Sequence, residues 1–334
     1  MNFEKKILKT KHTLCIMYTR YGDAINVLTG RQIVEFMKSI QLKAMGKINL
    51  GLDVLRRRED GYHEVRMVMQ MVNLYDRIKI TKIRKPKIYI STNLNFLPNN
   101  ENNIAYKAAK LLMEEFGIKA GVYIEVEKHI PVAAGMAGGS SDAAAVLYGI
   151  NRLFRLNLNI AQLMERGVKL GADVPFCVAR TTSLCEGIGE IITPLQSIPD
   201  CYILIAKPGF SVSTKYVYEN LNQEAITARP NVEGLVSAIN RQDLHAIAGH
   251  MGNVLETVTT ARYPDIERIK ELMRQKGALN AMMSGSGSTI FGIFEHKGVV
   301  KVACEELRRE ASVKNVFLTR PYPPIGKAAP VRKE

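Results

Sequence analysis

A glycine-rich turn at residues 131–141 is the segment of this chain best suited to bind a charged ligand. Three glycines and three alanines leave its backbone open to close approach, because they carry no bulky side chain. Ser140 and Ser141 follow at the start of a predicted helix, where amide groups point outward and the helix macrodipole is positive. Amides and hydroxyls in this arrangement favour an anion and suit a polyphosphate.

The same turn also has a plainer interpretation. Ser140, Ser141 and Asp142 are residue types that begin many ordinary helices. The segment is not a Walker A loop, because no lysine follows the glycines, and it lacks the GxGxxG spacing of a dinucleotide fingerprint. The residues of the turn alone do not distinguish a phosphate-binding loop from a simple helix cap.

The elements that must position this turn indicate an α+β protein with two lobes. Apolar runs predict strands at 42–54, 65–83, 122–128, 175–192, 201–207, 278–284, 288–295 and 314–320. Helical spacing and start signals predict helices at 103–116, 140–155, 160–170, 214–222, 231–240 and 264–276. In the strand at 122–128, Val122, Ile124 and Val126 are expected to face inward.

Changes in pattern divide the chain into four parts. Residues 1–36 show no strand or helix period, so we expect an atypical N-terminal extension or a start-site artefact with Met37 as the true start. A first domain is predicted over 37–195 and a second over 196–320, where a new strand follows two prolines. The proline-rich end, residues 321–334, is predicted to be a flexible tail.

The composition of the 334-residue chain excludes several classes of protein. Hydrophobic residues make up 46% and charged residues 23%, which is typical of a globular protein and excludes a disordered or fibrous one. No stretch approaches the ~18 uninterrupted apolar residues of a membrane span. The five cysteines form no CxxC pair, which favours reduced thiols in a cytoplasmic protein, without a disulfide framework or a zinc site.

The net charge of +14 favours anionic partners. A basic surface suits a protein that binds anionic small molecules, and it also suits a nucleic-acid binder. However, the chain has no dense basic tract interleaved with aromatic residues, and it has no tryptophan. These features favour small anionic ligands over nucleic acid.

Two glycine-rich segments resemble motifs of the GHMP kinase superfamily. Residues 131–145, PVAAGMAGGSSDAAA, are similar to its phosphate-binding loop. Residues 283–287, MSGSG, are similar to its C-terminal glycine motif, here with Gly285 and Gly287. Either motif alone is only moderately specific.

Two further segments resemble signatures of the members that act on a cytidyl diphosphate sugar alcohol. The first is GKINL at 46–50 followed by DGYH at 60–63, and the second is GADVP at 171–175. The resemblance covers about residues 40–320 in the family order, and four motifs together make it very specific. Residues 1–36 have no counterpart in the family pattern.

The resemblance implies a two-lobed α+β GHMP kinase fold. Its ribosomal protein S5 domain 2-like N-terminal domain would be the ATP-binding domain over 37–195, and its ferredoxin-like C-terminal domain would cover 196–320. The implied activity is ATP-dependent phosphorylation of the 2-hydroxyl of 4-diphosphocytidyl-2-C-methyl-D-erythritol, a step of the non-mevalonate route to isoprenoid precursors. Mg²⁺ is expected with ATP, bound mainly through phosphates, with Ser140 or Ser141 as a candidate oxygen ligand.

The resemblance assigns catalysis to Lys47 and Asp173. Asp173 would lie beside the substrate hydroxyl, and Lys47 would lie near both Asp173 and the transferred phosphoryl group. Because an adjacent lysine lowers the pKa of a carboxylate, Asp173 could accept the proton or only orient the hydroxyl. On the residues alone, Asp173 could instead cap a helix before Pro175, and Lys47 could be an exposed strand lysine.

The resemblance also assigns the two substrates. The adenine of ATP would contact Asn103 and Lys128, and its phosphates would contact Pro131, Val132, Ala133, Ala134, Gly135, Met136, Ala137, Gly138, Gly139, Ser140 and Ser141. The acceptor would contact Asn49, Tyr62, His63, Thr214 and Tyr218.

Within the acceptor set, Tyr62 and Tyr218 would stack on the cytosine and His63 would contact its edge. Without the resemblance, Asp60-Gly61 is simply a hairpin turn signal, and Thr214 with Tyr218 are packing residues on one helix face. A turn can also present Tyr62 and His63 to a ligand, so the two interpretations are compatible.

Two other functions are compatible with parts of this pattern. One is a homoserine-type or mevalonate-type kinase, against which Tyr62 and His63 argue because neither substrate has a base to stack. The other is a non-catalytic nucleotide or nucleic-acid-binding module, which the presence of both Lys47 and Asp173 disfavours. The predicted partners are therefore ATP and a small-molecule substrate, without nucleic acid or membrane and with the oligomeric state left open.

Overall fold

The computed structural model describes residues 38–322, and two β-sheets with their helices organise this part of the chain. The first sheet has seven strands and the second has four. Among the helices of this part, none is long and apolar enough to span a bilayer. The predictions for residues 1–36 and for Met37 concern residues outside the described part.

A long antiparallel hairpin dominates the first sheet. It consists of β1 (Ser39–Arg57) and β2 (His63–Ile83), joined by a tight turn in which Gly61 has a φ of +84°. The next strands are β3 (Ile88–Thr92), β4 (Gly121–Glu127), β5 (Thr182–Glu186) and β6 (Ile191–Leu195). They give the order β3-β4-β2-β1, with β5 paired to β2 and β6 paired to β5.

Four helices accompany this sheet, namely α1 (Ile104–Glu115), α2 (Gly138–Phe154), α3 (Ile160–Val168) and α4 (Val174–Ala179). The apolar side chains of α2 pack on β1 and β2 and form one core with them. In β4, Val122, Ile124 and Val126 are buried and Glu127 is exposed, as predicted from their alternation.

The second sheet contains β7 (Tyr202–Pro208), β9 (Asn280–Met283), β10 (Ile290–Phe294) and β11 (Val313–Thr319). All its pairings are antiparallel, in the order β11-β7-β10-β9. When the four strands are numbered 1 to 4 along the chain, they lie in the sheet in the order 4-1-3-2. Helices connect strand 1 to strand 2 and strand 3 to strand 4. That is the β-α-β-β-α-β pattern of a ferredoxin-like fold, as the resemblance implies.

The remaining helices are α5 (Thr214–Glu219), α6 (Val232–Asn240), α7 (Leu244–His250), α8 (Glu256–Arg262), α9 (Asp265–Gln275) and α10 (Lys297–Arg309). The short strand β8 (Gly252–Asn253) pairs in parallel with β1 and completes the seven-stranded sheet. A second core joins β1 and β2 to α6 and to the second sheet. Every residue of β1 from Ala44 to Val54 is buried, and both α2 and α6 pack against this strand.

The strand predicted at 175–192 is wrong in its first part, where α4 lies instead. Pro175 stands in the first turn of α4, where its missing N–H removes no helical hydrogen bond. The run VPFCVA is buried nearly throughout, and a short apolar run of this kind does not distinguish a strand from a buried helix. Helices α7, α8 and α10 and strand β3 were not predicted, although Val300, Ala303, Cys304 and Leu307 of α10 have helical spacing.

The predicted tail is held on β2 at its first two residues. Pro321 forms a bridge with Val72, and the Tyr322 amide donates to the Met71 carbonyl at 2.8 Å. A flexible tail from 321 is therefore wrong for these two residues, because β2 offers them backbone partners. Residues 323–334 lie outside the described part, and the domain boundary at 195/196 stays a prediction.

Four cysteines fall in the described part, and all four are free thiols: Cys177, Cys185, Cys201 and Cys304. Their spacing predicted this state. Cys15 lies outside the described residues, and the cytoplasmic location stays a prediction.

Candidate active site

A cavity of about 1110 Å³ lies where the two lobes meet. Its lining comes from β1 and β2, from the glycine-rich turn, from α5 and from the turn after β9. All predicted site residues line it except Ser141 and Gly287. The structure thus brings together residues that are up to about 240 positions apart in the sequence, between Lys47 and Ser286.

The glycine-rich turn has the backbone conformation of a binding loop. Ala133, Gly135 and Ala137 all have positive φ, at 52°, 72° and 53°. For alanine this region is disfavoured by roughly 1–2 kcal/mol, and such strain concentrates at functional sites. The turn is therefore held in shape by its surroundings rather than by local preference.

The simple helix cap, the alternative interpretation of this turn, does not occur. Helix α2 begins at Gly138, so Ser140 and Ser141 lie inside its first turn, and the cap residue is Ala137, whose side chain forms no hydrogen bond. The first amides of a 17-residue helix therefore have no side-chain cap and face the cavity end of the turn. This arrangement suits an anionic ligand.

Ser141 is turned away from the cavity. Its hydroxyl donates to the Met45 carbonyl of β1, and the residue is only 3% exposed. Ser140 lines the cavity. Of the two candidate oxygen ligands for Mg²⁺, the structure therefore leaves Ser140.

Gly135 joins the turn to the second lobe through a close backbone contact. A Cβ atom at Gly135 would lie 2.1 Å from the Ser284 carbonyl oxygen, so only glycine fits. The Ser284 hydroxyl donates to the Gly135 carbonyl at 2.9 Å. The motif at 283–287 therefore packs directly on the glycine-rich turn, with Gly285 and Gly287 at positive φ.

Lys47 is a buried lysine on β1. It is 4% exposed, and its Nζ donates to Asn49 Oδ1 at 2.6 Å. Residues 47 and 49 lie two apart on one strand and therefore share a face, which here lines the cavity. The exposed strand lysine, the alternative interpretation, is wrong because Lys47 lies inside the cavity, where little of its side chain reaches solvent.

Asp173 stands just before α4 and also lines the cavity. It occupies the cap position of that helix, yet its carboxylate forms no capping hydrogen bond. Burial raises the pKa of the nearby Cys177 thiol, and the charge of Asp173 raises it further while Lys47 opposes the rise. Both charges are thus close enough to act on one buried side chain of α4.

The acceptor end of the cavity carries a pair of rings. The His63 and Tyr218 rings lie 5.2 Å apart between centroids, tilted by 39°. Tyr62 is 59% exposed and lines the rim. The structure thus places His63, rather than Tyr62, beside Tyr218, and the Asp60-Gly61 turn presents both residues of the signature to the cavity.

Burial, helped by the positive charge of Arg57, lowers the pKa of His63 below its ordinary value. The imidazole is therefore neutral at pH 7 and has one N–H donor and one nitrogen acceptor. The hydroxyl of Thr214, on α5, is hydrogen-bonded at 2.8 Å to that of Ser286, in the turn after β9. Thr214 and Tyr218 both face the cavity, as their spacing of four predicts.

Asn103 and Lys128 line the cavity, but backbone groups and ion pairs already engage their side chains. Asn103 caps α1 by accepting from the Ala105 amide at 2.9 Å, and it donates to the Pro98 carbonyl at 2.9 Å. Lys128 is 8% exposed and forms ion pairs with two carboxylates. Their contact with adenine stays a prediction.

The two carboxylates around Lys128, Asp76 and Asp142, were missed by the sequence analysis. Both are buried, and burial raises the pKa of Asp142 well above its ordinary value. Burial lowers the pKa of Lys128, but the two carboxylates outweigh it and raise that pKa. One signal was present: Lys128 continues the inward alternation of β4, and an inward lysine needs a buried acidic partner.

The comparisons with known proteins agree with this geometry. Residues 103–180 match the family described as GHMP kinases N terminal domain, and residues 235–313 match GHMP kinases C terminal. The 4-diphosphocytidyl-2-C-methyl-D-erythritol kinase of Lachnoclostridium phytofermentans is 55% identical over 284 residues, which cover 85% of this chain and 98% of that protein. That of Alkaliphilus metalliredigens is 51% identical over 271 residues, covering 81% and 93%.

Solved structures share the fold. A crystal structure of 4-(cytidine 5'-diphospho)-2C-methyl-D-erythritol kinase superposes with a TM-score of 0.72 at 33% identity, covering 84% of this chain and 99% of that one. Homoserine kinase from Cytophaga hutchinsonii has a TM-score of 0.72 at 20% identity, covering 85% and 95%, which shows the fold alone. The two-lobed α+β fold is thus confirmed, and the chain belongs to the GHMP kinases, in the family of 4-diphosphocytidyl-2-C-methyl-D-erythritol kinases.

Proposed function

We propose that this chain transfers the γ-phosphoryl group of ATP to the 2-hydroxyl of 4-diphosphocytidyl-2-C-methyl-D-erythritol. One observation carries the proposal: a single cavity connects the uncapped start of α2 with the His63–Tyr218 ring pair, and Lys47 and Asp173 line the same cavity. A phosphate site and a flat-ring site in one cavity suit a nucleotide donor and a cytidyl acceptor. The names of the relatives and of the solved structure support the same pair of substrates.

The donor end would hold ATP through backbone amides. The glycine-rich turn and the first turn of α2 would bind the phosphate oxygens, because amides and the positive helix end favour negative charge there. In residues 38–322 no three His, Cys, Asp or Glu side chains form a group that could hold a metal ion. Mg²⁺ would therefore bind mostly through the phosphates and water, with Ser140 as a protein oxygen, and would supply neutralisation of phosphate charge.

Transfer would rest on Lys47 and Asp173. The acceptor oxygen forms a bond to the γ-phosphorus, the bond from that phosphorus to the bridging oxygen of ADP breaks, and the hydroxyl proton passes to the Asp173 carboxylate. Lys47 would donate to the equatorial oxygens, where charge is spread in the transition state. The Asn49 side chain fixes the Lys47 ammonium before the substrates arrive.

The acceptor end would bind cytosine by its face and its edge. Tyr218 provides a ring face, and the neutral His63 provides one donor and one acceptor for the pyrimidine edge. Cytosine carries acceptors at N3 and O2 and a donor at N4, so it matches a neutral imidazole better than an imidazolium, which only donates.

The test is coupled ADP release from ATP and Mg²⁺, with the cytidyl substrate, mevalonate and homoserine offered separately. Turnover with the cytidyl substrate alone is the expected result. Turnover with homoserine or mevalonate instead would overturn the acceptor assignment while keeping the donor site. In the same assay, Asp173→Asn should lose activity by about 10²–10⁴-fold, and near-normal turnover of that variant would contradict its role.

A further inference from the structure

Asn253 holds the glycine loop, defined here as residues 284–287, through hydrogen bonds to backbone, and it does not line the cavity. Its Nδ2 donates to the Met283 carbonyl at 2.9 Å and to the Gly285 carbonyl at 2.8 Å. Its Oδ1 accepts from the Leu255 amide at 3.0 Å. The residue is only 8% exposed. Backbone groups therefore supply the hydrogen-bond partners of both the nitrogen and the oxygen of this buried carboxamide.

The segment that carries Asn253 is itself attached to β1. Leu52 pairs with Asn253 in the parallel bridge, and the Val254 amide donates to the Leu52 carbonyl at 3.0 Å. Glu256, further along the same segment, accepts from the Met283 amide at 2.6 Å. Asn253 and Glu256 thus hold both polar backbone groups of Met283, immediately before the glycine loop, and tie them to the strand that bears Lys47.

The glycine loop in turn touches both halves of the cavity. On the donor side, the Ser284 hydroxyl donates to the Gly135 carbonyl of the glycine-rich turn. On the acceptor side, the Ser286 hydroxyl is hydrogen-bonded to Thr214 of α5 at 2.8 Å. Ser284 also lies 3.4 Å from the Asn49 amide, beside the partner of Lys47.

We infer that Asn253 is a positioning residue that sets the distance between the two substrates by fixing the glycine loop. The inference rests on the proposed function, since that function supplies a donor and an acceptor to align. Asn253 touches neither substrate site, and it does not line the cavity. Its effect should therefore fall on kcat, through alignment, more than on the KM of either substrate.

The carboxamide is required because two carbonyl oxygens converge on one nitrogen. Aspartate has the same shape, but at neutral pH it has no donor, so Asn253→Asp would place a carboxylate oxygen against both carbonyls. Asn253→Ala removes the donors without adding a charge. Comparing the two variants therefore separates the effect of losing the hydrogen bonds from the effect of repulsion between the carboxylate and the two carbonyl oxygens.

Asn151 provides a matched control in the same chain. It is 6% exposed and also holds backbone with its carboxamide, donating to the Leu158 carbonyl at 2.9 Å and accepting from the Leu158 amide at 3.0 Å. It lies near the far end of α2, about 20 Å along the helix from Gly138. Asn151→Asp therefore imposes a similar buried defect away from the cavity.

The first measurement is steady-state kinetics of the full chain. We expect Asn253→Asp to lower kcat by about 10²-fold and Asn253→Ala by about 10-fold, with both KM values within about three-fold of wild type. Asn151→Asp should change kcat by less than about two-fold. Equal kcat for wild type and folded Asn253→Ala, or equal losses in the two aspartate variants, would overturn the inference.

The second measurement needs no substrate. The amides of Ser284 and Gly287 are hydrogen-bonded to the Thr289 and Ser284 carbonyls, so their hydrogen exchange reports the shape of the glycine loop. Both should exchange faster in Asn253→Ala and be unchanged in Asn151→Asp; unchanged exchange in Asn253→Ala would overturn the inference. If the wild type fails to turn over the cytidyl substrate, the proposed function fails while this result still decides whether Asn253 holds the loop.

Discussion

The Lys47 ammonium donates a 2.6 Å hydrogen bond to Asn49 Oδ1, two residues along the same buried strand. A lysine has three rotatable donors on a flexible stem, and a fixed acceptor removes much of that freedom. The cation is thereby oriented in the cavity without being neutralised, because Asn49 carries no charge. A fixed and unneutralised cation is what phosphoryl transfer needs beside the reacting group.

Replacing Lys47 by methionine should abolish most turnover while keeping the fold. Methionine matches the length of the apolar stem but lacks the donor, so we expect kcat to fall by about 10²–10³-fold. Lys43→Met is the matched control on the same strand, because Lys43 is exposed and lies over the Tyr75 ring at 4.2 Å, away from the cavity. Coupled ADP release checks both, and comparable losses in the two variants would contradict a specific role of Lys47.

Replacing Gly135 by alanine should weaken ATP binding and stability together. The new Cβ would meet the Ser284 carbonyl oxygen at 2.1 Å, in a residue whose φ is +72°. We expect a loss of about 1–3 kcal/mol in the free energy of unfolding, because the turn and the glycine loop must separate. The KM for ATP should rise with it. Gly298→Ala is the control, since no atom lies within 4 Å of its Cβ position, and it should keep both quantities.

Replacing Tyr218 by alanine should raise the KM for the cytidyl substrate much more than that for ATP. Stacking of a base on an aromatic ring contributes ~1–3 kcal/mol, which corresponds to a rise of about 5- to 150-fold. Tyr216→Ala, on the same helix, is the control because Tyr216 packs against Arg262 at 4.6 Å and does not line the cavity. Equal effects of Tyr218→Ala on the two KM values would exclude stacking.

The pH dependence of acceptor binding should reflect the lowered pKa of His63. Burial and Arg57 keep the imidazole neutral to lower pH than an ordinary histidine, so the KM for the cytidyl substrate should stay flat as pH falls through 6.5 and rise only below. As the pH falls, His63 binds its proton in the unfolded chain before it does so in the folded chain. Between the two pKa values of His63, the free energy of unfolding therefore falls as the pH falls. Arg57→Gln should raise the pKa of His63, followed by NMR of its ring protons, whereas Arg56→Gln should not.

Lys128, Asp76 and Asp142 form a buried charged cluster. We expect this cluster to contribute to the free energy of unfolding rather than to catalysis. Lys128→Met leaves two carboxylates buried without a cation, and we expect a loss of about 3–5 kcal/mol in the free energy of unfolding. Because burial raises the pKa of Asp142, the folded state binds its proton at a pH where the unfolded state has released it. Stability should therefore fall as pH rises through that window, and Asp142→Asn should remove this slope in urea titrations at several pH values.

Local patterns predicted most of the elements. The alternation of Val122, Ile124 and Val126 predicted which side of β4 is buried, and the Asp60-Gly61 pair predicted the turn between β1 and β2. Both signals depend on neighbouring residues only. They hold because side-chain period and turn geometry are set within a few residues of the chain.

Elements whose burial is uniform were not predictable in this way. The run at 174–179 is apolar on all sides, so its period does not distinguish a helix from a strand; in the structure it is a helix packed against α2 and α3. Asp76 and Asp142 were missed for a related reason. A carboxylate that pairs with Lys128 from 52 or 14 positions away leaves no spacing signal.

The sequence by itself determined the family and the glycine-rich turn, and it indicated a set of residues that line one cavity, because these depend on residue types in short motifs. Only the tertiary structure decided which of those groups are available: Lys47 is oriented by Asn49, Ser141 is turned to Met45, Lys128 is held between carboxylates, and His63 lies beside Tyr218. Those outcomes depend on contacts such as that between Ser284 and Gly135, which are 149 positions apart. Such contacts exist only once two sheets pack against each other and bury the strand between them.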